Sequence, residues 1–555
     1  MPCESARPII DVPVLESMLH ETSFPLILSA FHIKGLMRGY DLGYRGPLQN
    51  LFFQNNQSAL DRSEVLEAMI QEELDAGRFA GPYPSPPFSW FRVNPMGLVP
   101  KSTPGEFRMI VDLSRPRFAS VNFFIPECAS SVHYPTVQDA IDIILDIKAR
   151  GLEPVLFKYD IRSAFRLLPI APEFYPLLGL YHAGGYMIDR FLPMGSSSSC
   201  QLFQSFSDMV RHLMIYKCFA DFIVNYLDDF LGIQEVAHHF IEDSRVRVSP
   251  EEVMARIDQM GEDTKIPFCP RKRAGPASEM DYLGKILDCI LLEARLPPEK
   301  IQKALSMIQS VTSPERRYNV SQRAIHSIHG FLQHCADIIP VGKAFLRSLG
   351  QLVRPNETGF VALADDVVED LKIWEIFLLN FNGRAMFVKS GWDPVNTVHP
   401  VNTFHLQSDA SGKWGCAAIF GQEYIAMEWS ENTARSNLSL IELYPIVLAT
   451  FVWADQLQNK RVLIHVDNQG TRDIINELKS SCEIIMYLVR VFALQCLKLN
   501  IWFQAEWVSS ENNLAADLLS RGEFAEFHAR FSAHEILWSI PPCLEPEICL
   551  QQSRS

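Results

Sequence analysis

Long apolar runs are missing from this sequence. A helix that crosses a membrane needs roughly 18 or more consecutive apolar residues. The longest candidate, residues 484–503, is interrupted by Arg490, Gln495 and Lys498. The first residues, MPCESARPIIDVPV, also lack the basic start and apolar core of a secretion signal. We therefore expect no membrane contact and no secretion, but an intracellular protein of the cytoplasm, the nucleus or both.

Paired cysteines and an excess of positive charge are missing as well. The 12 cysteines are scattered with no CxxC pair, which argues against a zinc module and is compatible with reduced thiols. With 50 Lys and Arg against 65 Asp and Glu, the net charge is -15. This charge argues against a protein that coats nucleic acid through bulk charge, so any such binding has to come from local basic surfaces.

The length of 555 residues predicts three or four domains, each large enough to bury a core. The pattern of apolar residues, prolines and glycines predicts an α/β and α+β multidomain chain. Five regions differ in this pattern: a mostly helical N-terminal extension over 1–80, alternating strands and helices over 81–296, a helical stretch over 297–400, a mixed sheet over 401–525 and a tail over 526–555.

Two adjacent aspartates, Asp228 and Asp229, interrupt the apolar stretch NYLDDFLGI at residues 225–233. Ionised carboxylates repel each other and resist burial unless they are paired or bound to a cation. One interpretation is a solvated hairpin turn between two strands. The other is that the hairpin holds divalent metal, which requires a further carboxylate on a neighbouring strand.

Asp160 supplies a candidate for that further carboxylate. The apolar strand predicted in VLFKYDIRSAF ends at Asp160, and active sites built on sheets usually lie at such strand ends. If the two segments are neighbours, Asp160, Asp228 and Asp229 form a cluster able to bind two Mg²⁺ ions. Taken alone, Asp160 is better explained as an aspartate that caps a strand end or a helix.

A second set of acids lies in the C-terminal part of the chain. Asp409 ends the predicted strand TFHLQSD, Glu442 lies on the predicted helix of SLIELYPI, Asp467 ends the predicted strand RVLIHVD, and Asp517 lies in NNLAADLLSR. Each has an ordinary structural explanation, as a turn residue or as a solvated helix carboxylate. For Glu442 the explanation as a solvated helix carboxylate is disfavoured, because its immediate neighbours are apolar.

The motifs occur in the order found in reverse transcriptases. VPKSTPGEFRMIVDLSRP resembles the fingers hairpin, KYDIRSAF and NYLDDFLGI the two palm carboxylate motifs, LPMGSSSSCQLFQ the template-grip motif, and IPFCPRKRAGPASEMDYLGKIL the segments that lead to the primer grip. The chain resembles reverse transcriptase and RNase H proteins of tyrosine-recombinase, DIRS-like retrotransposons. The resemblance implies a right-hand polymerase with fingers and palm over 81–296 and thumb and connection over 297–400, followed by an RNase H-like domain whose acids are those of the second set.

The same resemblance implies roles for five further residues. Lys101 and Arg108 would meet the incoming triphosphate, and Phe165 would stack under its sugar and exclude a 2'-hydroxyl, which predicts use of dNTPs. Gly195 would allow close approach of the template or nucleotide. Lys272 would protonate the departing pyrophosphate. Exposed hairpin charges, a core aromatic and a solvated basic loop remain the alternative interpretations for Lys101 and Arg108, for Phe165 and for Lys272.

Two departures from the family pattern bear on these roles. Met194 stands where retroviral enzymes carry glutamine, so the role of that side chain does not carry over. Many RNase H enzymes place a mobile histidine before the last aspartate, but WVSSENNLAAD contains none, and Trp507 or Glu511 takes its place. Asn513 matches the pattern. We expect cleavage with slower product release or an altered pH dependence.

The resemblance implies an RNA-directed DNA polymerase, a nucleotidyltransferase, with ribonuclease H endonuclease activity. Its cofactor would be Mg²⁺, two ions per active site, with Mn²⁺ as a substitute. Its partners would be an RNA template, a DNA primer, the RNA:DNA hybrid and dNTPs, and no oligomeric state is predicted. The alternative function is a domesticated or inactive retroelement-derived protein that binds nucleic acid. Decay would be expected to remove some of the seven acids, and all seven are present.

Overall fold

The structure, a computed structural model, describes residues 6–101, 105–236, 248–354, 359–380, 384–386, 403–430, 438–458, 460–499 and 501–545. The chain divides into two compact units. The first holds the described residues up to Leu283 together with Leu287–Leu292, and the second holds Gly284–Ile286 and the described residues from Glu293 onward. In the part of the chain that the structure describes, no helix is long and apolar enough to span a bilayer.

The helices of the first unit begin at side-chain caps where the sequence supplies them. The Asp11 carboxylate accepts the backbone N–H of Val14 at the start of the first helix. Thr136 and Asp139 form a reciprocal capping box at the start of the fifth. The helices are α1 Val12–Glu21, α2 Leu26–Arg38, α3 Gln57–Leu60, α4 Ser63–Asp75, α5 Val137–Ala149, α6 Ser199–Tyr216 and α7 Pro250–Thr264.

The strands of the first unit other than Glu279–Tyr282 form two sheets and a separate hairpin. Their bounds are β1 Leu51–Phe52, β2 Phe79–Tyr83, β3 Arg92–Val93, β4 Met96–Pro100, β5 Phe107–Val111, β6 Glu153–Asp160, β7 Gly179–His182, β8 Gly185–Asp189, β9 Phe222–Tyr226, β10 Asp229–Val236, β11 Ala274–Ala277 and β12 Glu279–Tyr282. One sheet has the order β1-β3-β7-β8-β2, the other has the order β11-β6-β10-β9, and β4 pairs only with β5.

The sheet β11-β6-β10-β9 is antiparallel, with β10 between β6 and β9. Its interior strands are apolar and buried, as in Leu156, Phe157 and Ile233, because helices pack against them. α6 packs against β9, and α5 packs against β6. The strands of this sheet are therefore mainly apolar along their length, with polar residues near their ends.

The second unit contains a six-stranded mixed sheet. Its strands are β18 Thr403–Ala410, β19 Gly415–Phe420, β20 Glu423–Glu428, β21 Arg461–Val466, β22 Trp502–Trp507 and β23 His534–Glu535, in the order β22-β21-β18-β19-β20-β23. β18 pairs parallel to β21 and antiparallel to β19. The helices from this part of the chain are α12 Leu438–Val452, α13 Ala454–Leu457, α14 Gln469–Glu477, α15 Glu483–Lys498, α16 Leu514–Ser520 and α17 Phe524–Arg530.

The strands predicted in TFHLQSD and RVLIHVD are present as β18 and β21, and the helix predicted in SLIELYPI is present as α12. The segment ahead of the sheet is mainly helical, as predicted from the sequence. It contains α8 Pro298–Thr312, α9 Gln322–Cys335, α10 Arg347–Gln351 and α11 Asp365–Asn380, with the short strands β13 Lys285–Asp288, β14 Glu293–Arg295, β15 Val320–Ser321, β16 Phe360–Val361 and β17 Arg384–Met386.

A buried ion pair ties the helical segment to the six-stranded sheet domain. The Arg490 guanidinium on α15 donates to the Asp370 carboxylate on α11 at 2.6 Å and to the Ser348 hydroxyl at 3.1 Å. Asp370 is almost fully buried, and burial raises its pKa to about 6 despite the arginine. Removing either partner would leave a buried charge uncompensated, so the helical segment and the sheet are expected to be stable only together.

The predicted fold class, a mixed α/β and α+β multidomain chain, is confirmed by these sheets and helices. The domain boundaries stay a prediction. The cut after 296 lies just ahead of α8, whereas the cut after 525 falls inside α17. Phe527 of α17 packs in the core with Leu519, and β23 extends the sheet beyond it.

His32 on α2 is expected to make stability depend on pH. Its ring is fully buried, with Nδ1 3.1 Å from the Tyr40 hydroxyl and Nε2 3.1 Å from the Ser205 hydroxyl, and burial lowers its pKa to about 4. Because the unfolded chain binds the proton at a pKa near 6.5, this stabilisation is complete above that pH and is lost as pH falls towards 4. Between pH 7.5 and 5 the loss is about 2 kcal/mol.

The measurement is urea unfolding of wild type and His32→Gln at both pH values. Stability of the variant should change with pH by about 2 kcal/mol less than that of wild type. His20→Gln is the matched control, because His20 lies exposed on α1. Equal pH dependence of wild type and His32→Gln would contradict the prediction.

Candidate active sites

The first carboxylate centre, Asp160, Asp228 and Asp229, is built from a hairpin and the strand beside it. Leu227 and Asp228 form the two-residue turn between β9 and β10, with Leu227 at a φ of 51°. Asp229 opens β10 and lies directly opposite Asp160, the last residue of β6. The hairpin interpretation and the metal-ligand interpretation of the Asp228–Asp229 pair are therefore compatible, because the hairpin places both aspartates beside Asp160.

Two lysines partly neutralise this centre. The Nζ of Lys272 donates to Oδ2 of Asp160, and the Nζ of Lys158 lies 3.6 Å from Oδ1 of Asp229. Burial raises the pKa of Asp160 against the effect of Lys272. Burial and the nearby Asp160 charge raise the pKa of Asp228 to about 6. A cation bound at Asp228 would offset this burial and repulsion.

The turn is held in place by polar side chains of α6. The Gln204 side-chain carbonyl accepts the Leu227 N–H at 2.9 Å, and the Ser207 hydroxyl donates to the Leu227 carbonyl. The fully buried Asn225 side chain donates to Ser207 and to Asp208, both at 3.0 Å. These bonds satisfy the backbone N–H and carbonyl of Leu227, so they hold the turn that carries Asp228 against α6.

The residues predicted to bind nucleotide lie on three different elements. Lys101 follows β4 and sits 3.3 Å from Glu106, and Arg108 is exposed on β5 opposite Val99, so the predicted two-armed hairpin is present. Phe165 lies on the one-turn helix Ala164–Leu167 and packs edge-on against Phe203 of α6 at 5.2 Å. Phe165 is half-buried, so it is part of the core without being enclosed by it.

Gly195 lies exposed in the loop before α6, with a φ of 127° that disfavours other residues. A Cβ at this position would come within 2.4 Å of the Val111 carbonyl oxygen at the end of β5. The glycine therefore permits close contact between the loop and the β4–β5 hairpin. The group that approaches Gly195 in the structure is protein, and close approach of template or nucleotide stays a prediction.

Among the three consecutive cations 271–273, the structure selects Lys272 as the one at the first centre. Arg273 instead donates to Asp258 at 2.8 Å and lies over the Tyr159 ring. The loop is fixed because the Asp160 carbonyl accepts the Cys269 N–H at 2.7 Å, and the Cys269 carbonyl accepts the Lys272 N–H at 3.1 Å. A backbone bond thus sets Lys272 beside Asp160, which local sequence could not reveal.

The second carboxylate centre, Asp409, Glu442, Asp467 and Asp517, lies at one end of the six-stranded sheet. Asp409 lies near the end of β18, Asp467 directly follows β21, and Glu442 projects from α12. One ligand atom from each of these three lies within 4.8 Å of the other two. Among the described residues no other trio of His, Cys, Asp or Glu meets this spacing, so the first centre is more widely spread.

The electrostatics of the second centre show crowded carboxylates, and no lysine among the described residues pairs with them. Burial and the charges of Asp409 and Asp467 raise the pKa of Glu442 to about 9, although its carboxylate accepts the Ala410 N–H. Burial raises the pKa of Asp409 to about 6, although the Ser520 hydroxyl donates to its Oδ2. Asp517 lies outside the trio of Asp409, Glu442 and Asp467 and pairs with Arg521, whose Nη2 lies 2.7 Å from its Oδ1.

The donor atoms of both centres suit a hard divalent cation. They are carboxylate oxygens, which Mg²⁺ and Mn²⁺ prefer to imidazole or thiolate, and they converge at strand ends. In the second centre, a cation would favour the ionised form of Glu442, whose pKa burial and the neighbouring charges raise to about 9, and it would offset the repulsion between Glu442 and Asp409. The structure therefore confirms a cluster of acids suited to metal, while the identity of the ion stays a prediction.

In the segment where the resemblance implied a histidine in many RNase H enzymes, other donors contact Asp467. The Ser510 hydroxyl donates to Asp467 Oδ2 at 2.9 Å, and the Trp507 indole N–H donates to the Asp467 carbonyl at 3.0 Å. Asn513 is fully buried and donates to the Ser408 carbonyl at 2.9 Å. Glu511 is exposed. Of the two substitutes that the sequence suggested, Trp507 is the one in contact with this centre.

Sequence reasoning missed several residues that touch these centres. Lys158 lies two residues before Asp160, so the twofold period of a strand places both on one face. Ser520 lies three residues after Asp517, which places both on one face of α16. The spacings of Lys158 from Asp160 and of Ser520 from Asp517 could therefore have predicted these contacts from the sequence. Gln204 gave none, because its contact with Leu227 depends on how α6 packs on the sheet.

No protein-family model matches the chain, and no curated protein matches its sequence. Solved structures do resemble it. A foamy viral protease-reverse transcriptase, dRH, in complex with double-stranded DNA gives a TM-score of 0.47 at 15% identity, over 84% of this chain and 72% of that one. The foamy viral protease-reverse transcriptase in complex with an RNA/DNA hybrid gives 0.45 at 15% identity, over 90% of this chain and 63% of that one.

Glu442→Gln is expected to stabilise the protein without metal and to weaken stabilisation by metal. Because the folded-state pKa of Glu442 is raised to about 9, its contribution to stability is complete only below pH 4.5 and is lost as pH rises towards 9. A neutral glutamine avoids this loss, so at pH 8 in EDTA the variant should melt at least about 2 °C above wild type. Adding Mg²⁺ or Mn²⁺ should raise the wild-type melting temperature more than that of the variant.

Glu477→Gln is the matched control, because Glu477 is exposed at the end of α14. It should behave as wild type in EDTA and in metal. If Glu442→Gln melts below wild type in EDTA, or keeps the full metal response, the second centre does not hold a cation through Glu442.

Proposed function

We propose that this protein is an RNA-directed DNA polymerase with ribonuclease H activity. The observation that carries the proposal is the presence of two separate carboxylate centres at sheet strand ends in one chain. One is formed by the β6 end and a hairpin, and the other by strands, α12 and α16 of a mixed sheet. Such centres suit nucleotidyl transfer and phosphodiester hydrolysis, two displacements at phosphorus that differ only in the nucleophile.

At the first centre, Asp160, Asp228 and Asp229 would hold Mg²⁺. When bound, a pair of such ions favours deprotonation of the attacking hydroxyl and offsets charge on the leaving pyrophosphate. Lys272 would hold a proton at Nζ that passes to the pyrophosphate, since its ammonium already lies against Asp160. Lys101 and Arg108 would bind the triphosphate from the β4–β5 hairpin. Phe165, from its half-buried position, would exclude a 2'-hydroxyl and so favour dNTPs.

At the second centre, Asp409, Glu442, Asp467 and Asp517 would hold the metal that serves hydrolysis of the RNA strand. Ser520 would orient Asp409, and Ser510 would orient Asp467, because each hydroxyl already donates to the carboxylate. Asp517 would bind the metal or the product once its ion pair with Arg521 breaks. The two activities belong together, because synthesis on RNA leaves an RNA:DNA hybrid that hydrolysis then opens for second-strand synthesis.

The finer assignment is that the protein serves a DIRS-like retrotransposon and acts in the cytoplasm or nucleus on retroelement RNA. The order of the motifs supports it, and the predicted thumb and connection over 297–400 would grip the hybrid through its backbone. The alternative, a domesticated protein that binds nucleic acid without catalysis, is disfavoured because all seven acids are retained with the geometry described above. It would bind the hybrid but neither extend nor cleave it.

Primer extension and hybrid cleavage test the two centres separately. With Mg²⁺, wild type should extend a DNA primer on an RNA template with dNTPs and much less with NTPs. Asp228→Asn should lose extension by at least about a hundredfold and keep cleavage of a labelled hybrid. Asp467→Asn should lose cleavage by a similar factor and keep extension, because the ligands belong to different centres.

Asp263→Asn and Asp473→Asn are the matched controls, since both are exposed helix aspartates outside the two centres. Neither should change either activity more than about twofold. Wild-type protein that extends no better than Asp228→Asn would refute the polymerase assignment. Cleavage that survives in Asp467→Asn would refute the hydrolytic one.

A further inference from the structure

We propose that an aromatic and basic shelf in the first unit binds the unpaired bases of a single-stranded nucleic acid. The shelf consists of Arg115, Arg117, Phe118 and Phe123, in the loop and short helix that follow β5. Phe118 is 71% exposed and Phe123 is 53% exposed. Large apolar rings are seldom left so open side by side without a partner. Of these residues only Arg115 lies within a quoted sequence motif, and no role was assigned to it there.

The two rings form one continuous surface with a cation beside it. Phe118 and Phe123 pack edge to face, with centroids 6.0 Å apart and planes at 89°. The Arg117 guanidinium lies 5.4 Å from the Phe118 ring centre. Arg115 pairs with Asp112 at 2.9 Å but keeps 63% of its side chain exposed. A base could therefore stack on an exposed ring while an arginine meets its phosphate.

The shelf is held rigid from beneath by a buried arginine. Arg92 is 2% exposed, and its guanidinium donates to the Ala119 carbonyl at 2.9 Å and to the Arg115 carbonyl. Its Nε donates to the Asn94 side chain at 3.0 Å. Because both ends of the loop are tied to one buried side chain, Phe118 is presented in a fixed place. A ligand then pays little ordering entropy when it binds.

The shelf also adjoins the loop that carries Gly195. The Asn122 side chain donates to the Gly195 carbonyl at 2.8 Å and to the Ser114 hydroxyl at 2.9 Å, and it accepts the Ser197 N–H at 2.9 Å. One asparagine thus joins the start and the end of the shelf to the loop before α6. The same helix clamps the Asp228 turn, so the shelf and the first centre share a support.

Exposed aromatic rings flanked by arginines fit unpaired nucleotides better than a duplex. Every base has a face that can stack, and each stacked base contributes about five- to hundredfold in affinity. In a duplex the base faces are already stacked and only the backbone remains for the arginines. The place of this strand rests on the proposed polymerase function, which would make it the template ahead of the primer end. Binding itself does not rest on that function.

The test is equilibrium binding in EDTA without dNTPs, so that it does not depend on catalysis. The probes are a mixed-sequence 12-nucleotide RNA, an RNA:DNA hybrid with an unpaired RNA 5' extension, and the same hybrid with blunt ends. Wild type should bind the extended hybrid more tightly than the blunt one. The double variant Phe118→Ala, Phe123→Ala should weaken the single strand and the extended hybrid about tenfold or more, and leave the blunt hybrid unchanged.

Two further variants separate stacking from other effects. Phe118→Trp should keep or improve binding, whereas Phe118→Leu should weaken it, because only the former keeps a stacking face. Arg117→Ala should lower the slope of log affinity against log salt by about one unit. Phe219→Ala is the matched control, since Phe219 is 52% exposed with Arg256 over its ring at 4.8 Å.

The shelf is refuted if wild type shows no preference for the extended hybrid. It is also refuted if Phe118→Leu binds as wild type, or if Phe219→Ala loses as much affinity as the double variant. A shelf that binds as expected in a protein that extends no primer would overturn the polymerase proposal and leave the binding surface standing.

Discussion

The rest of this structure depends on holding like-charged carboxylates together at partly buried strand ends. Two units do so by different means. In the first, Lys272 and Lys158 contact Asp160 and Asp229 and offset the repulsion. In the second, no lysine contacts the buried trio among the described residues, and the pKa of Glu442 rises to about 9 instead. Clusters of acids that repel one another bind a cation more readily than isolated acids do. Without the cation, the repulsion lowers the stability of the folded protein.

The surrounding fold supplies the stability that these centres lack. Around the first, a central strand, β10, is paired on both sides, and α6 bonds the turn through Gln204 and Ser207. Around the second, parallel and antiparallel strands meet at β18, and the Arg490–Asp370 pair ties the sheet domain to the helical segment. Each centre thus stands on regular elements, which keep acids in place better than loops do.

Much of the fold could be predicted from local patterns. The strands that end at Asp160 and beside Asp409 and Asp467 were readable because an apolar run stops at a carboxylate, and the helix around Glu442 because its apolar stretch is long. The shelf of Phe118 and Phe123 was not, because exposure is a property of what fails to pack nearby. Arg92, whose guanidinium holds that loop, lies more than 20 residues away along the chain.

The sequence by itself determined which residue types sit at strand ends and in which order the motifs follow, because the periods of strands and helices are local properties of the chain. Only the tertiary structure decided the register that sets Asp229 opposite Asp160, the choice of Lys272 among three adjacent cations, and the separation of Asp517 from the trio of Asp409, Glu442 and Asp467. The register and the Lys272 contact join segments dozens of residues apart, and Asp517 stands apart because of how α16 packs on the sheet. Packing, not local pattern, decides such distances.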